Sequence, residues 1–227
     1  MISKLLDTFA ELGLFTGLLY LSDQAWERVF RRRLIYAYAI VRQPVVPARL
    51  RQSSGYEVRV FESVDSARSV LEQFETPAQI VQERFQEGYQ CLTLQKENAL
   101  QGYGWLALDE YMEDEVRCRF VPIPAGLTGW DFDVFVLPEF RGTMTFVRLW
   151  DAINAHYASI GRQWSMSRIS RFNVASMRSH RSMGAEVVAS TVFVVIGRLQ
   201  LMFSSTRPRL HLSASLNSYP TLEVPPP

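Results

Sequence analysis

Residues 164–197 read WSMSRISRFNVASMRSHRSMGAEVVASTVFVVIG, and how this stretch divides decides the fold. WSMSRISRF has the composition of a strand, Asn173 is a credible N-cap, and the helix it opens runs to Gly184 before the β-branched run VVASTVFVVIG. Strand, helix and strand in so short a span make a crossover unit, which belongs to an α/β sheet with parallel neighbours. The helix has an unusual face. At 100° per residue, Asn173, His180 and Gly184 fall within about 40° of one another with Ser176 one step aside, where a core stripe would carry Leu or Val. Either Asn173 is a plain cap and His180 an exposed helix histidine, or the stripe faces a ligand.

Upstream, WDFDVFVLP is an apolar strand that ends at Pro138, turns through Arg141 and Gly142, and enters a helix near Thr143. On that helix Phe146, Leu149, Trp150, Ile153 and Tyr157 recur at helical spacing. A helix that starts after a tight Gly turn points several unpaired N–H groups at one place, and its dipole favours an anion there. From Ala152 to Ala185 there is no Asp or Glu, while Arg162, Arg168, Arg171, Arg178 and Arg181 all fall inside. Such a run carries self-repulsion that a bound anion, for example a phosphorylated ligand, would relieve.

Further out, YEVRVFE reads as a strand, followed by two helical patterns, SARSVLEQF and AQIVQERFQEG, the second capped by Gly88. YQCLTLQKE and LQGYGWLALD are neighbouring strands turning around Asn98, and YMEDE at 111–115 fits a solvated hairpin tip. The expected fold class is mixed α/β, a sheet flanked by helices, with an antiparallel front half and a parallel-crossover back half. Residues 1–50 read as a helical extension, 51–205 as the main domain, and 206–227 as a Ser- and Pro-rich tail expected to be disordered at its end. In the extension, Ile2, Leu5, Leu6, Phe9 and Leu12, then Ala25, Trp26, Val29 and Phe30, make two amphipathic helices broken near Gly13 to Gly17, and LIYAYAIVRQPVVP leads out as an extended segment. This is a helical hairpin packed on the main domain or an interfacial anchor, residues 1–35 lying on a membrane with Arg31 to Arg33 on anionic headgroups and Trp26 at the boundary.

Composition narrows the function. A net charge of +1 from 24 basic and 23 acidic residues argues against a nucleic-acid partner. Cys91 and Cys118 lack metal-ligand spacing and are expected as free, buried thiols of a cytoplasmic protein. No secretory signal is convincing, and LGLFTGLLYL at 12–21 is about half of the roughly 20 apolar residues a span requires. There is no GxSxG, GxxxxGK[ST], HExxH or CxxC, and with only three histidines no metal site is expected.

The two anion-binding segments, with the strand order before them, resemble the GNAT N-acyltransferase superfamily over roughly residues 56–203. That family holds acetyl-coenzyme A on a strand-turn-helix of pattern Arg/Gln-x-x-Gly-x-Gly/Ala, and its later helix reads Asn-x-x-Ser/Ala, then Tyr four residues on, then Gly-Phe. Arg141 opens the first pattern, but Met144 and Phe146 stand where the family has small residues; Asn173, Ser176, His180 and Gly184 follow the second, with His180 in place of Tyr. The resemblance implies a GNAT-like acyl-CoA N-acyltransferase fold and an N-acetyltransferase using acetyl-CoA as donor, without a metal. The acceptor would be an amine, an amino-sugar or lipid-linked intermediate of surface polysaccharide being one class. It places the donor on main chain at Arg141, Gly142, Thr143 and Met144 and beside Val134, Val136, Asn173 and Ser176. His180 would be the acid for the departing thiolate, and Asp131, Asp133, Glu139 or Glu110 the base. The alternatives are a binding or regulatory protein that has lost the donor site, and an acyltransferase taking its acyl group from an acidic acyl carrier protein docked on the arginines.

Overall fold

A computed structural model describes residues 2–51 and 55–224. In chain order its elements are α1 (Ile2–Leu12), α2 (Leu14–Phe30), β1 (Ile35–Pro44), β2 (Tyr56–Phe61), α3 (Val64–Ala67), α4 (Ala78–Gln86), β3 (Gln90–Lys96), β4 (Ala99–Ala107), β5 (Tyr111–Met112), β6 (Arg119–Pro122), β7 (Thr128–Val136), α5 (Thr145–Ser159), β8 (Trp164–Ser170), α6 (Val174–Ser182), β9 (Glu186–Ile196), β10 (Leu199–Ser204), β11 (Leu210–Ser213) and β12 (Thr221–Val224). The class is mixed α/β, as expected. The chain divides into two compact units that interleave along the sequence: Met1–Gln43, Glu110–Pro124 and Met166–Pro227 form the first, Pro44–Asp109 and Ala125–Ser165 the second.

In the second unit the strands run in the order β7-β4-β3-β2, antiparallel throughout. Asn98 takes φ 66° and Glu97 φ 51°, the left-handed pair that a tight hairpin needs, so the turn sits where Asn98 places it. Helix α5 buries Leu149, Trp150, Ile153 and Tyr157. It comes close because β4 offers glycines: a Cβ on Gly102 would stand 3.4 Å from Leu149, and one on Gly104 3.2 Å from Ile153. Elsewhere on the sheet, α4 sets Phe85 against Trp105 with ring centroids 4.9 Å apart. The stretch SARSVLEQF shortens to the single turn α3 and a 3-10 turn at Leu71–Gln73 rather than one helix. Ser63 caps the start of α3 by accepting the amide of Ser66.

In the first unit the order is β11-β10-β9-β1-β8. The segment IYAYAIV, expected as an extended exit from the helices, is instead a central strand of this sheet, paired antiparallel with β9 from Ile35↔Val194 to Arg42↔Glu186. A continuous apolar run is what a strand covered on both faces requires: Ala39 and Val41 meet Ile169, Ala185 and Met177 of α6, while Tyr38 packs on Phe193. The boundary at residue 50 is therefore corrected, since β1 belongs to the sheet and not to an extension. The pairings β1–β9, β9–β10 and β10–β11 are antiparallel; β1 inserts between β8 and β9, the two strands joined by α6.

The tail is corrected too. Its β11 pairs with β10, and β12 pairs parallel with β6 in a small sheet of order β12-β6-β5, burying Leu222 and Val224; residues 225–227 lie outside the described residues, as do 52–54 of the polar break before β2. The two helices at the start break at Gly13, φ 75°, as its sequence suggests. Asp23 of α2 is buried and accepts the amides of Leu34 (2.7 Å) and Ile35 (2.8 Å) and the Arg33 guanidinium (3.1 Å), which fixes α2 to the start of β1.

Candidate functional site

The second unit carries the strand-turn-helix. In the β4–β7 ladder Tyr103 faces Phe135 and Trp105 faces Phe132, so Gly104 alone stands opposite both Asp133 and Val134. This is a β-bulge, and Asp133 sits at it in the left-handed region with φ 45°. Asp131 and Asp133, two residues apart, would share a face of a regular strand; the bulge separates them. Asp131 is buried and accepts from Ser165 Oγ, whereas Asp133 accepts from Arg84 Nη1 (2.6 Å) and Thr76 Oγ1 (3.2 Å). The Arg84 guanidinium lies over Trp105 (5.2 Å) and Phe132 (5.1 Å). Asp133 is thus held by a cation.

After β7 the chain makes a 3-10 turn, Pro138–Phe140, on which Glu139 is exposed. Arg141 Nε donates back to Val136 O (3.0 Å) with its guanidinium over the Phe135 ring, closing the turn. Gly142 takes φ 74°. Thr143 Oγ1 donates to Phe140 O (2.6 Å) and accepts from the Thr145 amide (3.2 Å). The helix begins at Thr145, two residues after the position its sequence suggests. Among the described residues, the amides of Gly142, Thr143 and Met144 donate to no backbone or side-chain acceptor, which leaves three exposed N–H groups ahead of a helix of 15 residues. These donors fit an oxyanion group such as a diphosphate. The ring of Phe146, expected to crowd this turn, meets the buried Trp150 edge-on one helical turn along (centroids 6.3 Å). A separate recess of about 400 Å³ in this unit, lined by Leu50, Arg51, Tyr56, Val58, Leu94 and Arg148, sits beside α5; there the Arg148 guanidinium stacks on Tyr56 (4.6 Å).

The first unit carries the second segment, with Asn173, Ser176 and His180. Asn173 Oδ1 accepts the Ser176 amide (3.0 Å), the cap its position suggests. His180 is buried, 8% exposed, rather than on the surface. Its Nδ1 bonds Ser176 O (2.9 Å), four residues back, so Nδ1 carries the proton. Burial pushes the imidazole pKa below its ordinary value, against the smaller opposing pull of that carbonyl. Burial thus favours the neutral form of the His180 imidazole. Gly184 ends the helix at φ 90°. Each member of the unusual stripe thus has a local task in starting, bracing or stopping α6.

The arginines divide in use. Arg168 makes two bonds to Glu113 (2.8 and 2.6 Å), pairs with Glu115 (3.0 Å), and lies over the Tyr38 ring. This corrects YMEDE as a solvated tip: Glu113 is 5% exposed and is the internal counter-charge to Arg168. Arg162 pairs with Asp109 (3.5 Å). Arg171, Arg178 and Arg181 instead line a cleft of about 320 Å³ with Glu11, Thr16 and Met177. The sequence reading did not find Asp23, Arg84 or Glu113 as key charges, since nothing in local spacing marks a carboxylate whose partner is ten to fifty-five residues away. Among the described residues no group of His, Cys, Asp and Glu could hold a metal ion.

No protein-family profile and no curated protein matches the chain. Solved structures are similar to it. One from Novosphingobium aromaticivorans, assigned to the GNAT acetyltransferase family, has a TM-score of 0.47 at 16% identity, covering 70% of this chain and 62% of that one. A GCN5-related N-acetyltransferase from Kribbella flavida gives 0.41 at 12% identity, covering 70% and 58%. A conserved Staphylococcus epidermidis protein of unknown function gives 0.49 at 12% identity, covering 76% and 65%. The chain spans less than two thirds of the length of each of these three.

Proposed function

We propose that the protein is an acyltransferase of the GNAT type, moving an acetyl group from acetyl-CoA to an amine by direct attack on the thioester. The observation that carries this reading is the bulged strand β7 running into a turn whose three amides have no acceptor. The bulge withdraws main chain near Val134 from regular pairing, and the turn offers Gly142, Thr143 and Met144 to the donor's diphosphate. Main-chain donors need no particular side chain, so Met144 at the family's Gly position leaves them in place. Arg141 and Thr143 would act by holding the turn's shape, because both spend their polar atoms on it.

In the reaction the amine nitrogen bonds the acetyl carbon, the thioester C–S bond breaks, and the amine proton leaves to a base while the thiolate gains one. His180, its Nδ1–H donating to Ser176 O, is assigned to positioning, and a water is the proton donor to the thiolate. Glu139, exposed and outside any ion pair among the described residues, is the better candidate base than Asp133. The acceptor is an amine of amino-sugar or lipid-linked type. Calorimetric titration with acetyl-CoA, with a parallel thermal-shift series, tests the reading. Binding with an upward shift is expected; neither heat nor shift at millimolar donor would overturn it in favour of a protein that keeps the fold and has lost the donor.

A further inference from the structure

The first unit presents a sheet face with its polarity reversed. In β10, Gln200 and Met202 are buried while Leu199 and Phe203 are exposed; in β11, Ser213 is buried while Leu210 and Leu212 stand 60% and 61% exposed. Register aligns these side chains. Leu201 lies between Val194 of β9 and Leu212 of β11, Phe203 between Val192 and Leu210, and Leu199 opposite Ile196. The result is a block of aliphatic side chains across three strands on the side where an antiparallel sheet facing water would alternate to polar residues. Helix α2 shows the same reversal: Leu14, Leu18 and Val29 share one stripe with Phe15 at its edge, all more than half exposed, while Asp23 is turned inward and buried. The two features meet in a recess where Phe30 and Trp26 of α2 and Ile196 of β9 are neighbours.

Cations rim this surface. Arg28, Arg31 and Arg32 close α2, and Arg198, Arg207 and Arg209 occupy the turns on either side of β10; among the described residues none of the six is in an ion pair. From Val187 to Leu222 there is no acidic residue. The near-neutral chain hides a strong asymmetry, because the first unit holds fifteen basic and ten acidic residues and the second nine and thirteen.

We propose that the open face of β9, β10 and β11, continued by the outer stripe of α2, docks on the anionic surface of a phospholipid bilayer. Charge decides between occupants. A second copy laid on this face would bring two arginine rims together, whereas a bilayer rich in anionic headgroups supplies the opposite charge to all six and an apolar layer for the leucines and phenylalanines between them. The surface differs from the anchor that residues 1–35 alone suggest: Arg33 is committed to Asp23 and Glu115, and β9 to β11 provide much of the apolar contact. Among the described residues no helix is long and apolar enough to cross a membrane; the proposal is for contact at the surface.

The test sediments the full chain with vesicles of phosphatidylcholine alone and of phosphatidylcholine mixed with phosphatidylglycerol. Binding to the mixed vesicles should be about tenfold or more tighter. Replacing Phe203, Leu210 and Leu212 together by Ser, or Arg207 and Arg209 together by Gln, should each weaken it by about tenfold, with the unfolding temperature unchanged since these side chains are exposed. The proposal falls if the two vesicle types bind alike or neither binds, or if the serine variant sediments as the wild type does. It also falls if light scattering shows a dimer that the serine variant converts to a monomer, because a second copy would then be the occupant.

Discussion

Single side chains here are constrained by what lies within a few ångströms of them. A Cβ on Gly102 would sit 2.7 Å from Phe135 O, a backbone atom that cannot move alone. Gly102→Ala is therefore expected to cost about 2 kcal/mol, read as a lower denaturant midpoint at unchanged m-value. Arg168 is the only cation shown bonded to the buried Glu113 among the described residues, and Arg168→Met should destabilise by about 3–5 kcal/mol in the same measurement, since it strands a carboxylate away from water. Both thiols, Cys91 and Cys118, are buried with their pKa values pushed well above the ordinary range by desolvation. A thiol-specific disulfide reagent at mild alkaline pH should count no reactive cysteine in the folded protein and two after unfolding.

At the level of elements, α6 depends on its first residue: Asn173→Ala removes the bond to the Ser176 amide and should lower stability by about 1 kcal/mol, while Asn173→Asp should keep most of it. This cap, the Gly88 stop and the Asn98 turn were legible in the sequence, because each is set by the conformational habits of one or two adjacent residues. The strand-turn-helix at Arg141 was legible for the same reason, down to the glycine turn. What could not be read was decided at a distance. Whether Asp133 shares a face with Asp131 depends on Gly104, a strand away, having two residues to oppose. Whether YAYAI is an exit segment or a central strand depends on β9, about 150 residues later. The ends of the chain misled in another way: Ser and Pro in the tail suggested disorder, yet Leu222 and Val224 had a parallel partner in β6 that no local pattern announces.

For the whole molecule, acid should act through two imidazoles, His180 buried and His156 half-buried. Burial lowers the pKa of both His156 and His180 below the ordinary value of about 6.5. In the unfolded chain each binds a proton as pH falls through that value, while in the folded protein each resists doing so. The stability they contribute is complete above about pH 6.5 and is lost as pH falls from there toward the folded values. Chemical denaturation at several pH values between neutral and mildly acidic should show this slope, and replacing both residues by Gln should flatten it.

The central place of β1 also orders events in time. Its partner β9 follows about 150 residues later in the chain, and such a distant pairing is slow to close. By residue 165 the nascent chain already holds all four strands of the second unit, so that unit is expected to fold first. Until β9 has been made, Tyr36 to Val41 lack that partner and stay an apolar segment of the kind a chaperone holds.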